Sequence, residues 1–178
     1  MVKTIVIYKS KTGYTKQYAT WLSEEFGCDM ISLKNIGKVK LDSYDAIIYG
    51  AGVYASKISG LKKMIKACTN LKDKKIAFFA VGATGYSEDV LQKLKESNLS
   101  GLNLDYPLFY MQGGFDPQKL NVFLRVMLGI VARMLTKKEA KNPDALSTED
   151  KDFLEFFRTT HNSVDKAYLN DLTTYVQG

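Results

Sequence analysis

Three hydroxyl side chains and a glycine sit together in Ser10-Lys11-Thr12-Gly13-Tyr14-Thr15, between a β-branched run and a helical pattern. A strand that feeds a helix through such a loop leaves the helix's first amides without intrahelical acceptors, pointing beyond the strand. Ser10, Thr12 and Thr15 add hydroxyl donors there, and Gly13 lets the backbone approach closely. The chemistry this favours is capture of a phosphate monoester. Competing phosphate loops fail on spacing. A dinucleotide loop needs Gly-x-Gly-x-x-Gly and a nucleoside-triphosphate loop Gly-x-x-x-x-Gly-Lys-Ser/Thr, and this loop has neither.

Two later stretches share a simpler composition. Gly50-Ala51-Gly52-Val53-Tyr54-Ala55-Ser56 and Gly82-Ala83-Thr84-Gly85-Tyr86 are small residues with one aromatic each. Loops of that kind let a flat ring lie against backbone amides while an aromatic covers its face. Which of Tyr54 and Tyr86 would stack stays open.

The elements that must position these loops alternate along the chain. Apolar runs at 2–8, 29–33, 46–50, 75–81 and 108–112 read as strands covered on both faces. Helical patterns fall at 14–26, 59–68 and 87–96, with Gly27 and Gly82 as stops after a helix and a strand. Alternating strands and helices predict an α/β fold, an open doubly wound sheet of five parallel strands. Its ligand would sit beyond the carboxyl ends of the strands, where all three loops fall. After the fifth strand, Asp116-Pro117 opens a long apolar helix at about 118–135, Asp116 as cap and Pro117 in the first turn. A charged linker at 137–150, a short helix begun by Ser147 or Thr148, and a last amphipathic helix at 164–176 complete the reading. The whole 1–178 is expected to be one domain with a helical elaboration at about 115–160.

Composition narrows the partners. The chain has 178 residues, 46% apolar, with two cysteines and a single histidine. One histidine excludes a His-rich metal centre, and two cysteines forty residues apart make neither a metal site nor a disulfide framework. No metal site is expected, and the reducing cytoplasm is the expected compartment. Charge is uneven: residues 1–75 carry 14 basic against 6 acidic side chains, and residues 76–178 carry 11 against 13. The positive half favours an anionic ligand, but zinc-finger spacing is absent and the lysines are scattered, so nucleic acid is not expected.

Ser10-x-Thr12-Gly13-x-Thr15, followed by Ala19 and Leu22, resembles the signature of flavodoxin-fold proteins, whose first loop holds the phosphate of flavin mononucleotide (FMN). The resemblance implies strand order 2-1-3-4-5, with the flavin ring between the second and third loops. It implies FMN contacts from Ser10, Lys11, Thr12, Gly13, Tyr14 and Thr15, from Ala51, Gly52, Val53 and Tyr54, and from Gly82, Ala83, Thr84, Gly85 and Tyr86. Within that fold, Gly50-Ala51-x-Val53, Gly113-Gly114-Phe115 and the helix with Leu124, Arg125, Met127, Ile130 and Met134 are similar to the flavodoxin-domain family of menaquinone-dependent protoporphyrinogen dehydrogenases. That family usually carries an arginine-tyrosine-glycine run in the second loop, where this chain has Tyr54-Ala55-Ser56 and then Lys57. The implied activity is an FMN-dependent oxidoreductase, with quinone, porphyrinogen or a redox protein as donor or acceptor. The alternative is a flavodoxin-like electron carrier serving a protein partner. Lys9, Lys11, Lys16 and Lys57 lie close in sequence to the first two loops, and cations there would favour the reduced, anionic flavin.

Residues 118–138 are apolar around more of the helix than one core-facing stripe needs, with Arg125 and Arg133 interrupting them. Burial under the linker, a homodimer contact, an apolar substrate groove and peripheral contact with the inner face of the membrane are all compatible with that pattern. His161 reads as a loop or cap residue, Cys28 and Cys68 as small hydrophobes, and Glu24-Glu25 and Glu149-Asp150 as solvated charges. No side chain is singled out as catalytic. The redox chemistry would belong to the cofactor, which the protein positions and tunes.

Overall fold

Strand β1 (Thr4–Lys9) pairs in parallel with β2 (Asp29–Ser32) on one side and β3 (Ala46–Tyr54) on the other. The two-residue β4 (Lys57–Ile58) folds back antiparallel on the end of β3. Strand β5 (Lys75–Gly82) adds to β3 and β6 (Leu108–Gln112) adds to β5, both parallel. The sheet order is therefore β2-β1-β3-β5-β6. This is the expected 2-1-3-4-5 once the short β4 is counted. The computed structural model describes residues 2–71, 73–100, 106–120, 122–142 and 145–178, apart from the side chain of Glu149.

Side chains alternate across the sheet as the pleat requires. Val6, Ile48 and Phe79 face helix α1 (Tyr14–Phe26) through Tyr18, Ala19 and Leu22, and α6 (Asn170–Gln177) through Leu172 and Val176. Ile5, Ile7, Ile47, Tyr49 and Phe78 face the other way. They meet α2 (Leu61–Cys68) through Leu61, Met64 and Cys68, and α3 (Glu88–Leu99) through Leu94. Two glycines set fine detail. A Cβ on Gly50 would fall 1.8 Å from Cζ of its cross-strand partner Phe79, so the ring lies over a strand that has no side chain there. Gly27, at φ 56°, ends α1 as expected by donating its N–H to the Glu24 carbonyl.

The described residues form two compact units, 1–113 with 163–178, and 114–162. The second is built on a two-residue ladder between β7 (Gly114–Phe115) and β8 (His161–Asn162). It contains α4 (Val122–Lys141) and α5 (Thr148–Arg158), joined by a small core of Ala132, Leu146 and Leu154. Asp116 caps not the long helix but a single 3-10 turn at Pro117–Lys119, accepting from the Gln118 N–H at 2.9 Å. Helix α4 runs to Lys141, so the first third of the expected linker is helical: Thr136 to Lys141 contain no glycine or proline to stop it. Ser147 caps α5 as expected, accepting from the Asp150 N–H. The last helix starts late, at Asn170, behind a 3-10 turn that Asp165 caps. Asn121 of the expected helix and residues 143–144 of the expected linker lie outside the described residues.

One buried hydroxyl ties three segments of the first unit. Tyr18 is fully buried, donates to the Gln112 carbonyl at the end of β6 at 2.5 Å, and accepts from the Asp165 N–H at 3.1 Å. Burial pushes its pKa from 10.0 up to about 12, so the native state requires the neutral phenol. Its contribution is complete below the unfolded value near pH 10 and is lost as pH rises toward 12. Tyr18→Phe is expected to cost about 1–3 kcal/mol at neutral pH, because a carbonyl and an amide lose their partner. It should also make the alkaline fall in stability shallower, as read by urea denaturation between pH 8 and 12. The β3–β4 hairpin has a comparable staple in Asn98 of α3. Its Oδ1 accepts from the Ile58 N–H at 2.9 Å and its Nδ2 donates to the Ser56 carbonyl at 2.8 Å and the Leu94 carbonyl at 2.9 Å. Asn98→Ala should cost about 1–3 kcal/mol and speed proteolysis at residues 54–58, with Asn98→Asp intermediate because it can accept but not donate.

Candidate functional site

Register brings the carboxyl ends of the central strands level. Lys9 pairs with Ala51, Gly52 with Val81, and Gly82 with Gln112, so the three loops singled out in the sequence open on one rim. At the first loop the Gly13 N–H is accepted by Ser10 Oγ at 3.1 Å, which folds the loop into a tight turn. Gly13 is the N-cap of α1 at φ 99°, a left-handed conformation open to glycine, and no side chain caps the helix. The first intrahelical amide bond is Gln17 N–H to the Gly13 carbonyl. A Cβ built on Gly13 would meet nothing within 4 Å, so space lies open against this helix terminus. Lys11 and Gly13 are exposed and Ser10 and Thr12 half-buried, whereas the side chains of Tyr14 and Thr15 turn inward. Tyr14 packs with Val6, Tyr18 and Val81.

The second loop differs from expectation. Ala51, Gly52, Val53 and Tyr54 belong to β3, which pairs past Gly50 because small residues leave the ladder unobstructed on both sides. Only Ala55-Ser56 forms the turn, and both residues have positive φ, 46° and 59°. Such a two-residue connection favours Asn-Gly, and non-glycine residues hold it at a cost of about 1 kcal/mol or more each. The Asn98 hydrogen bonds at Ser56 and Ile58 offset that strain. Tyr54 folds back over its own strand: a Cβ on Gly52 would sit 3.1 Å from its Cε2. Lys11 Nζ lies 4.3 Å from the centre of the Tyr54 ring, a cation–π contact that joins the first loop to the second. Burial raises the Tyr54 phenol, and a hydrogen bond from Thr12 opposes the shift.

In the third loop Gly82 is the last residue of β5, Ala83 is half-buried, and Thr84, Gly85 and Tyr86 are exposed. Tyr110 of β6, unremarked in the sequence, organises it by donating to the Thr84 carbonyl at 2.6 Å and approaching Thr84 Oγ1 at 3.1 Å. A Cβ on Gly82 would fall 2.3 Å from the Tyr110 hydroxyl, so that glycine is what admits the contact. Burial raises the Tyr110 pKa, so it stays a donor across the ordinary pH range. Tyr86 is half exposed and gives its hydroxyl to Glu88. Gln112, also unremarked, takes Tyr18 on its carbonyl and Tyr168 on its side-chain oxygen. The only signal for Tyr110 was a hydroxyl-tipped ring inside an apolar strand.

The lysines divide. Lys11 reaches the loop tip, whereas Lys57 turns its ammonium to the Ser97 carbonyl at the end of α3. His161 lies in β8 rather than in a loop, its ring stacked on Phe156 at 5.3 Å. Burial pushes the Cys28 and Cys68 thiols up to about 11, far from the thiolate that redox chemistry needs. Among the described residues, no group of three or more His, Cys, Asp or Glu is placed to hold a metal ion.

The rim has the parts of an anion cradle, two small-residue walls and aromatic covers, at the sheet edge where strand order reverses. The sequence matches the family described as Flavodoxin domain over residues 5–142. No curated protein matches it. Solved structures similar to it include a flavoprotein in complex with FMN from Lactobacillus acidophilus NCFM, at 18% identity and TM-score 0.46, covering 61% of this chain and 93% of that one. A flavodoxin, WrbA-like protein from Agrobacterium tumefaciens is 21% identical at TM-score 0.44, covering 62% and 83%. Flavodoxin 2 from Bacillus cereus is 19% identical at TM-score 0.41, covering 61% and 84%. With most of its length matched to the family, and the strand order and loop placement above, this chain belongs to the flavodoxin-domain proteins.

Proposed function

We propose that the chain is an FMN-dependent oxidoreductase, its chemistry resembling that of the menaquinone-linked protoporphyrinogen dehydrogenases. The observation that carries the cofactor is the start of α1. There Gly13 stands in a left-handed conformation with no side-chain cap, open space beside it, and the Ser10 and Thr12 hydroxyls alongside. Backbone amides of residues 10–15 and those two hydroxyls would hold the phosphate, with Lys11 supplying positive charge. Ala51, Gly52, Val53 and Tyr54 would form one wall for the ring, and Gly82, Ala83, Thr84, Gly85 and Tyr86 the other. Tyr54 would leave its place over Gly52 to stack. Bound FMN supplies electron transfer in one- or two-electron steps. Cationic Lys11 on this rim would favour its reduced form. A quinone, a porphyrinogen or a redox protein is the proposed donor or acceptor, and the cytoplasm the proposed compartment.

A second reading, an electron carrier for a protein partner, is favoured by the exposure of Thr84, Gly85 and Tyr86, which leaves one wall open to a docking surface.

Titration of apo-protein with FMN should quench flavin fluorescence at micromolar protein. Combined Ser10→Ala and Thr12→Ala should weaken binding by about 3–6 kcal/mol, since each hydrogen bond to charge is worth about 1.5–3. No quenching by the unaltered chain would overturn the cofactor assignment. With flavin bound, turnover with protoporphyrinogen as donor and quinone as acceptor supports the enzyme. Reduction by a flavodoxin-type reductase without quinone turnover supports the carrier.

A further inference from the structure

Helix α4 carries two apolar faces, and among the described residues only one is covered. At about 100° per residue, Leu124, Leu128, Ala132 and Leu135 lie within an arc about 80° wide. Ala132 is buried and Leu135 packs with it against Leu146 and Leu154. Phe123, Val126, Met127, Ile130, Val131 and Met134 fall in a separate arc about 140° wide, centred well away from the first. All six are exposed, Phe123 by 75% and Met134 by 66%. A stripe of this size on the outside of a helix marks a contact surface, because scattered apolar exposure does not line up along one arc.

Charge chooses the occupant. The helix holds Arg125, Arg133, Lys137, Lys138 and Lys141 against Glu139, and Glu139 is engaged by Arg158 at 3.0 Å. Lys138 reaches Asp150 at 3.7 Å. Among the described residues, no carboxylate lies within ion-pair distance of Arg125, Arg133, Lys137 or Lys141. Lys137 and Lys141 continue the apolar arc into the last turn, and Arg133 borders it. A second copy of the stripe is a poor partner, since it offers the lysines and Arg133 no acidic side chain on the facing arc. The acidic helix α5 exposes no large apolar side chain that could cover the stripe. An anionic lipid surface satisfies both features. Apolar side chains enter the acyl boundary, while lysine and arginine lay their stems along it and reach the phosphates.

We propose that the outward face of α4 is a docking surface for anionic bilayers, the helix lying flat in the lipid interface. Among the described residues no helix is long and apolar enough to cross a membrane, so contact is peripheral. The inference does not rest on the flavin reading, since every residue it uses lies in the 114–162 unit.

The test is co-sedimentation of the full chain with vesicles of equimolar phosphatidylglycerol and phosphatidylcholine, against vesicles of phosphatidylcholine alone. The unaltered chain is expected to associate with the anionic vesicles, less so at high salt. Phe123→Asp with Ile130→Asp should reduce association at least about ten-fold, while circular dichroism reports an unchanged fold because both sites are exposed. Lys137→Gln with Lys141→Gln should reduce it about five-fold per lysine and leave the weaker association with neutral vesicles unchanged. No association of the unaltered chain, or equal association of either variant, overturns the proposal. So does a concentration-dependent doubling of mass in solution that Phe123→Asp abolishes, which assigns the stripe to a second copy. FMN titration of the same samples keeps the two questions apart: flavin binding without vesicle association removes this inference alone.

Discussion

Seven consecutive residues of β3, Ala46 to Gly52, are shut off from water on both faces of the sheet, and the one hydroxyl among them, on Tyr49, donates to the Ser59 carbonyl. A strand in that position tolerates no unpaired backbone group, so it must be flanked by full ladders on both sides, as it is by β1 and β5. Two covered faces in turn demand helices above and below, and parallel neighbours demand crossovers between them. The rim follows from this. Once β1, β3 and β5 run the same way in register, their carboxyl ends open together, and each chain segment leaving them contributes a loop to one edge.

Within that frame the rim is built from close approaches rather than from reactive side chains. Phe79 lies over Gly50, Tyr54 over Gly52, and the Tyr110 hydroxyl reaches in beside Gly82. Each of these glycines stands where an aromatic ring crosses the backbone. A larger residue at any of them would push a ring off the sheet and raise the floor on which a flat ligand could lie. A charged contact, Lys11 against Tyr54, sits at the edge and spans two loops. A site assembled this way selects by shape and by backbone dipoles, which suits a cofactor that carries its own reactivity.

The strands were legible because double burial writes itself as unbroken apolar runs, and the first loop because its donors are contiguous in Ser10–Thr15. The hairpin at Ala55-Ser56 was not. Its positive-φ turn lacks the Asn-Gly pair that normally announces one, and the side chain that holds it, Asn98, lies some forty residues away on α3. Tyr110 escaped for the same reason, since its role appears only when β6 is laid beside β5. In α4 the apolar excess was visible, but periodicity cannot say which of two faces a neighbour covers. The α5 contact at Ala132 and Leu135 answers that.

The 114–162 unit departs from the sheet and returns to it at one point. The Ser163 N–H donates to the Gly113 carbonyl at 2.9 Å, and the next residues on each side pair as Gly114 with Asn162 and Phe115 with His161. A segment whose own ladder and core hold its ends side by side adds little closure cost to the surrounding fold, and that cost grows only slowly with length. Lineages can therefore gain, lose or exchange everything between Gly113 and Ser163 without re-threading a strand. The surface this chain shows through α4 can then diverge on its own evolutionary clock, independent of the rim that the sheet maintains.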